Sequence, residues 1–169
     1  MKLLFTSFQT WLPHQESNSS DELLAIIQER ETLSASGYFL RQLPVDREVA
    51  SQQAIATIKK IQPQGIICCG MAESRPKLTI ESCANYGQEC LSTTVNLEEL
   101  VDNLAATSIS HDAGKFVCEA LYFNVLNYVQ NTKLQLPCIF VHVPVLTSEN
   151  TDILVQDFEA IIDYLANLV

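Results

Sequence analysis

The chain has 169 residues, 47% of them apolar and 18% charged, with 20 acidic against 10 basic side chains and a net charge of −10. That length suits one domain over residues 1–169 with a core that needs no covalent staples, and the apolar share excludes a disordered chain. The acidity and the lack of a basic stripe exclude a nucleic-acid partner, and no apolar run is long enough to cross a bilayer, so no membrane partner is expected.

Lys2–Phe5 is a short apolar run, expected as a buried first strand, and a polar loop follows from Pro13 to Asp21. Ser20 is placed to cap a helix in which Leu23, Leu24, Ile26 and Ile27 recur at helical spacing, stopped by Gly37. Tyr38–Pro44 reads as a second strand, Asp46–Ile61 as an amphipathic helix, and Gln64–Gly70 as a central strand. Leu78–Ala84 alternates weakly, as an edge strand does. Val95–Leu104 suits a short helix, Ala106–Ser110 a strand, and Gly114–Val129 a buried helix starting near Gly114 or Lys115. Cys138–Val143 is a strand stopped by Pro144, and Thr151–Val169 an acidic amphipathic helix. Alternation of this kind predicts an α/β fold: a three-layer α/β/α sandwich around an open, twisted, mostly parallel sheet. In such sheets, sites lie beyond the carboxyl ends of the strands.

Six cysteines occur, at 68, 69, 83, 90, 118 and 138. The even count suits disulfides, but the N-terminus turns polar too soon for a signal peptide, and most of the cysteines sit in apolar runs as free thiols do. A cytoplasmic, reducing location is therefore expected. There is no C-x-x-C and no H-E-x-x-H, so neither a metal nor a cofactor is implied.

Cys118 falls near a helix start, where the dipole and Lys115 favour a thiolate; its alternative is a buried structural thiol. His142 comes late in a strand, in position to reach the ligand-bearing crevice or to sit satisfied in the core. Glu81, embedded in a strand, needs a partner if buried, and His142 can be that partner. Together they make a chemical unit: a sulfur nucleophile, a base that takes and returns its proton, and a carboxylate that fixes the imidazole tautomer.

At these segments the sequence resembles pyroglutamyl peptidase I, the pyrrolidone-carboxylate peptidase family of cysteine peptidases. The family's S-x-x-A-G-x-[FY]-x-C-N is matched by Ser110-His-Asp-Ala-Gly-Lys-Phe-Val-Cys118-Glu, and its F-I-H-V-P by Phe140-Val-His142-Val-Pro144. Its G-x-A-x-x-R and following S-L-E-R-x-A correspond to Gly70-Met-Ala-Glu-Ser-Arg75 and Thr79-Ile-Glu81-Ser-Cys-Ala84. Thr6-Ser-Phe8-Gln-Thr-Trp11-Leu-Pro resembles the family's T-G-F-x-P-F-G-G, and Leu43-Pro44 its L-P. The resemblance implies Cys118, His142 and Glu81 as catalytic residues, and removal of an N-terminal pyroglutamyl group from small peptides. Phe8 and Trp11 would sandwich the flat ring, and the backbone at Phe116 and Val117 would bond the lactam.

The departures are specific. Leu12-Pro13 replace the family's Gly-Gly, and Met71 replaces a Gln. The segment between Glu81 and Cys118 is markedly shorter than the family pattern and lacks an Arg implied in oxyanion binding; Leu91 lies near its place. Glu119 replaces the Asn after the nucleophile and sets negative charge beside the thiol. These changes predict reduced activity. They also leave open a second class, a family-fold protein with weak or no peptidase activity that acts as a binding or scaffold protein. A third class, a redox protein using Cys68-Cys69 or Cys118, is disfavoured because adjacent cysteines rarely pair without strain. The sequence leaves homo-oligomerisation open.

Overall fold

A computed structural model describes residues 2–30, 36–132 and 134–168. Eight strands and five helices are placed among them: β1 (Lys2–Phe8), α1 (Ser19–Glu29), β2 (Ser36–Leu43), α2 (Arg47–Ile61), β3 (Gly65–Met71), β4 (Leu78–Glu81), β5 (Cys83–Tyr86), β6 (Glu89–Ser92), α3 (Leu97–Val101), β7 (Thr107–Ser110), α4 (Val117–Asn131), β8 (Cys138–Val143) and α5 (Thr151–Asn167). The main sheet has the order β2-β1-β3-β8-β4-β7. β2, β1, β3 and β8 run parallel, whereas β4 runs against β8 and β7 follows β4. A β5–β6 hairpin stands apart.

Strand parity sorts the core into two faces. Leu3, Phe5, Ile67, Cys69, Leu78, Ile80, Ile139 and Val141 meet α1, α3 and α5. Leu4, Phe8, Ile66, Cys68, Cys138 and Phe140 meet α2 and α4. This is the expected α/β/α sandwich. Parity also decides the site. Gly70, His142, Thr79 and Glu81 share the register of the second set, so they belong to the face that α4 covers.

Several boundaries differ from expectation for local reasons. β1 continues past Phe5 to Phe8 because its buried Ser7 is served: Ser7 Oγ donates to Asp21 at 2.7 Å. Asn18, not Ser20, caps α1, its Oδ1 accepting from Ser20 N at 3.0 Å. Asp46 is the cap of α2 rather than its first residue, with Oδ1 accepting from Glu48 N and Val49 N. The stretch expected as one edge strand divides into β4, interior between β8 and β7, and β5, which leaves for the hairpin. α3 is shorter than the expected Val95–Leu104. α4 begins at Val117 because Gly114 takes φ +90°, a left-handed conformation that ends the preceding turn and bars an earlier helix start. The expected end of the last helix, Val169, lies outside the described residues.

Candidate active site

The site lies where β1, β3 and β8 end and α4 begins. A cavity of about 400 Å³ is lined by Phe8, Trp11, Met71, Phe116, Val117, Cys118 and His142, together with Gln15, Asn18, Glu73 and the loop before α4. All the substrate-contact candidates named from the sequence therefore reach one cavity. Cys118 is the second residue of α4, whose N-cap, Phe116, makes no side-chain capping bond. The first backbone N–H groups of that helix are thus available to an anion.

His142 is buried, and its Nδ1 lies 2.7 Å from Oε1 of the fully buried Glu81. Arg75 completes the cluster. Its Nη1 donates to the same Oε1 at 2.5 Å and to Thr79 Oγ1, and its Nη2 to Asp112 O at 2.8 Å. Burial pushes the Glu81 carboxyl up, but the imidazole of His142, the hydroxyl of Ser110 and the guanidinium of Arg75 outweigh it and hold the group below its ordinary range. An ionised Glu81 that accepts from Nδ1–H leaves Nε2 as the imidazole's free basic atom.

The thiol approaches the sheet at Gly70. A Cβ there would stand 2.6 Å from Cys118 Sγ and 2.9 Å from the Phe140 ring, so only glycine leaves room for the sulfur. Gly70 is the register partner of His142 on the neighbouring strand, which brings thiol and imidazole to adjacent strands. Among the described residues no hydrogen bond joins them in this geometry. The Cys118 thiol is not an activated thiolate at rest: burial, then the charge of Glu81 and the nearby Cys68, push it up to about 12 against the pull of Arg75 and of its own backbone N–H. This corrects the expectation of a thiolate favoured by Lys115 and opposed by Glu119. Glu119 turns away, its Oε1 accepting from Asn85 N at 3.2 Å, and the negative charge that acts on the sulfur is Glu81.

Phe8 and Trp11, expected to flank a flat ring, both line the cavity. Phe8 is buried, whereas Trp11 leans on Phe116, ring centroids 4.8 Å apart and planes 33° apart. Trp11 thus has Phe116, not Phe8, as its aromatic partner. Met71 Sδ accepts from Ser19 N at 3.4 Å and ties the pocket wall to α1. Leu91 lies in β6, packed against the α4 side of the core and outside the cavity.

Sequence reasoning missed the part played by Arg75, although the signal was present: a carboxylate buried in a strand calls for a cation, and Arg75 lies six residues upstream. It also missed Gln15 and Glu73. Gln15 accepts from Trp11 N and Leu12 N through Oε1 and donates to Glu73 at 2.7 Å through Nε2, which builds the outer rim.

No protein-family model matches the chain. Among curated proteins, it is 27% identical to pyrrolidone-carboxylate peptidase 1 of Caldanaerobacter subterraneus subsp. tengcongensis over 88% of this chain and 85% of that protein. It is 27% identical to the pyrrolidone-carboxylate peptidase of Thermoanaerobacter sp. over 86% and 83%. Among solved structures, pyroglutamyl peptidase I from Bacillus amyloliquefaciens superposes with a TM-score of 0.84 at 19% identity, covering 98% of this chain and 94% of that one. A mutant pyrrolidone carboxyl peptidase from Pyrococcus furiosus superposes with a TM-score of 0.86 at 18% identity, covering both chains fully. The chain therefore resembles the pyrrolidone-carboxylate peptidases in sequence along most of its length and has the fold of the pyroglutamyl peptidase I structures.

Proposed function

We propose that the chain is a cysteine exopeptidase that removes an N-terminal pyroglutamyl group, or a similar small cyclic amide, from short peptides. The observation that carries this reading is the buried His142–Glu81 pair, 2.7 Å apart, in the face and cavity that also hold Cys118. In this reading Nε2 of His142 takes the thiol proton as Sγ attacks the scissile carbonyl, then delivers it to the departing amine. Water, deprotonated by the same nitrogen, then cleaves the thioester and returns the thiol. Because the resting thiol is neutral, proton transfer accompanies attack. The uncapped first turn of α4 supplies backbone N–H groups to the oxyanion. Arg75 is engaged by Glu81, on the Nδ1 side of the imidazole, and does not serve that purpose.

A second reading is a binding protein with weak or no turnover. The raised Cys118 thiol and the absence of a Cys118–His142 hydrogen bond among the described residues favour it. One experiment separates the two. Release of a fluorophore from a pyroglutamyl amide by the parent chain and not by Cys118→Ala supports the peptidase. Calorimetric binding of a pyroglutamyl peptide, equal for both proteins and without release, supports the binding protein.

A further inference from the structure

The β5–β6 hairpin carries two thiols that the proposed chemistry does not use. In its antiparallel register Cys83 faces Ser92 and Cys90 faces Asn85. Thr93 N donates to Ser82 O at 3.0 Å, which marks 82–93 as a hydrogen-bonded pair. The alternation of an antiparallel ladder then makes both Cys83–Ser92 and Asn85–Cys90 non-hydrogen-bonded pairs, whose side chains lie closest across the strands and share one face. The right-handed twist of a two-stranded ribbon draws one diagonal of such positions together, and Cys83 and Cys90 occupy it. Cys90 is exposed and Cys83 partly so, whereas Cys68, Cys69 and Cys138 are buried and Cys118 faces the cavity. The neighbouring Cys83 thiol, then slight burial, raises the Cys90 thiol above its ordinary value.

We infer that Cys83 and Cys90 are a reversible dithiol–disulfide pair, oxidised by small-molecule disulfides of the glutathione type. The thiolate of Cys90 attacks one sulfur of the small disulfide and expels a thiolate, which takes up a proton. Cys83, deprotonated in turn, attacks the Cys90 sulfur of the mixed disulfide and expels the second thiolate. The protein loses two electrons and two protons, and the small disulfide becomes two thiols. The bond staples a hairpin whose Asn85, between the two cysteines in sequence, holds the carboxylate of Glu119, the residue that follows Cys118 in the chain.

The test uses the intact, folded chain, incubated with excess oxidised glutathione at mildly alkaline pH, blocked with maleimide and digested with trypsin without reduction. The fragment between Lys77 and Lys115 contains Cys83 and Cys90 and no other cysteine. Expected is a fragment lighter by two hydrogens, restored by dithiothreitol, and in Cys83→Ser the same fragment carrying one glutathione. A parent fragment that keeps glutathione on either cysteine, stays unmodified, or links to a second chain overturns the inference.

Discussion

Replacing Glu81 by Gln isolates the charge of the cluster from its shape. Arg75 Nη1 and His142 Nδ1 both address the same oxygen of Glu81. In Glu81→Gln that position must keep an acceptor for Arg75, so the amide oxygen stays there and the NH2 takes the place of Oε2, which has no partner at hydrogen-bond distance among the described residues. The imidazole therefore keeps its tautomer, and what disappears is the negative charge. Arg75 stands 3.5 Å from His142 Nδ1, and at an effective dielectric of about 20 two unit charges at that spacing repel by about 5 kcal/mol. With Glu81 neutral, that repulsion falls on the imidazolium formed during attack, and kcat/KM on a pyroglutamyl amide should drop about 10³-fold. The same reasoning requires partial rescue: Glu81→Gln with Arg75→Gln should recover at least about tenfold of the loss, because the repelling charge is gone. Both variants are compared by fluorogenic assay, with circular dichroism to establish that they fold. A single variant within tenfold of the parent, or a double variant no more active than the single, refutes the electrostatic account.

Gly70→Ala should shift Cys118 and lower kcat/KM by about 100-fold or more, with a stability loss of about 1–3 kcal/mol in urea titration. Unchanged turnover would show that the sulfur does not need its place against the sheet. The rate of iodoacetamide modification at Cys118, followed by peptide mass mapping, should rise about tenfold per pH unit from 7 to 10, as a thiol pushed up to about 12 requires; a plateau near neutrality would contradict the burial argument. Acid should destabilise the fold through Glu81 and Asp21. Burial raises the Asp21 carboxyl, but Arg41, Ser7 and Gln42 overcome it, so both groups have folded values below their ordinary 4.5 and 3.8. Their stabilisation is therefore complete above those values and disappears as pH falls through the lower folded ones. The melting temperature of the parent should fall below about pH 4.5 more steeply than that of Asp21→Asn.

The sheet and its helices were legible because the apolar runs at 65–70 and 138–143 and the helical spacing of Leu23, Leu24 and Ile27 carry the core directly. Polar strand residues were not, because Ser7 is acceptable through Asp21 and Gln42, partners that the third dimension supplies. Nor could the place of β4 be read, since the order of strands depends on β8 arriving from far along the chain. At the site, residue types and motif order pointed to Cys118, His142 and Glu81. The ionisation of the thiol was misread because it depends on burial and on Glu81, both set by strand parity, whereas sequence adjacency drew attention to Lys115 and Glu119.

β8 is the last of the described strands in chain order, yet it enters the sheet between β3 and β4. Until it emerges, β4 and β7 have no parallel body to join, and the edge of β3 stays open. The strand that closes the gap is the one bearing His142, paired at once with Gly70 on one side and Thr79 on the other. A nascent or truncated chain that ends before it consequently keeps a thiol and a carboxylate without the imidazole between them. Completion of the sheet and assembly of the proposed triad are thus one event, and chains that fail the first cannot display the second.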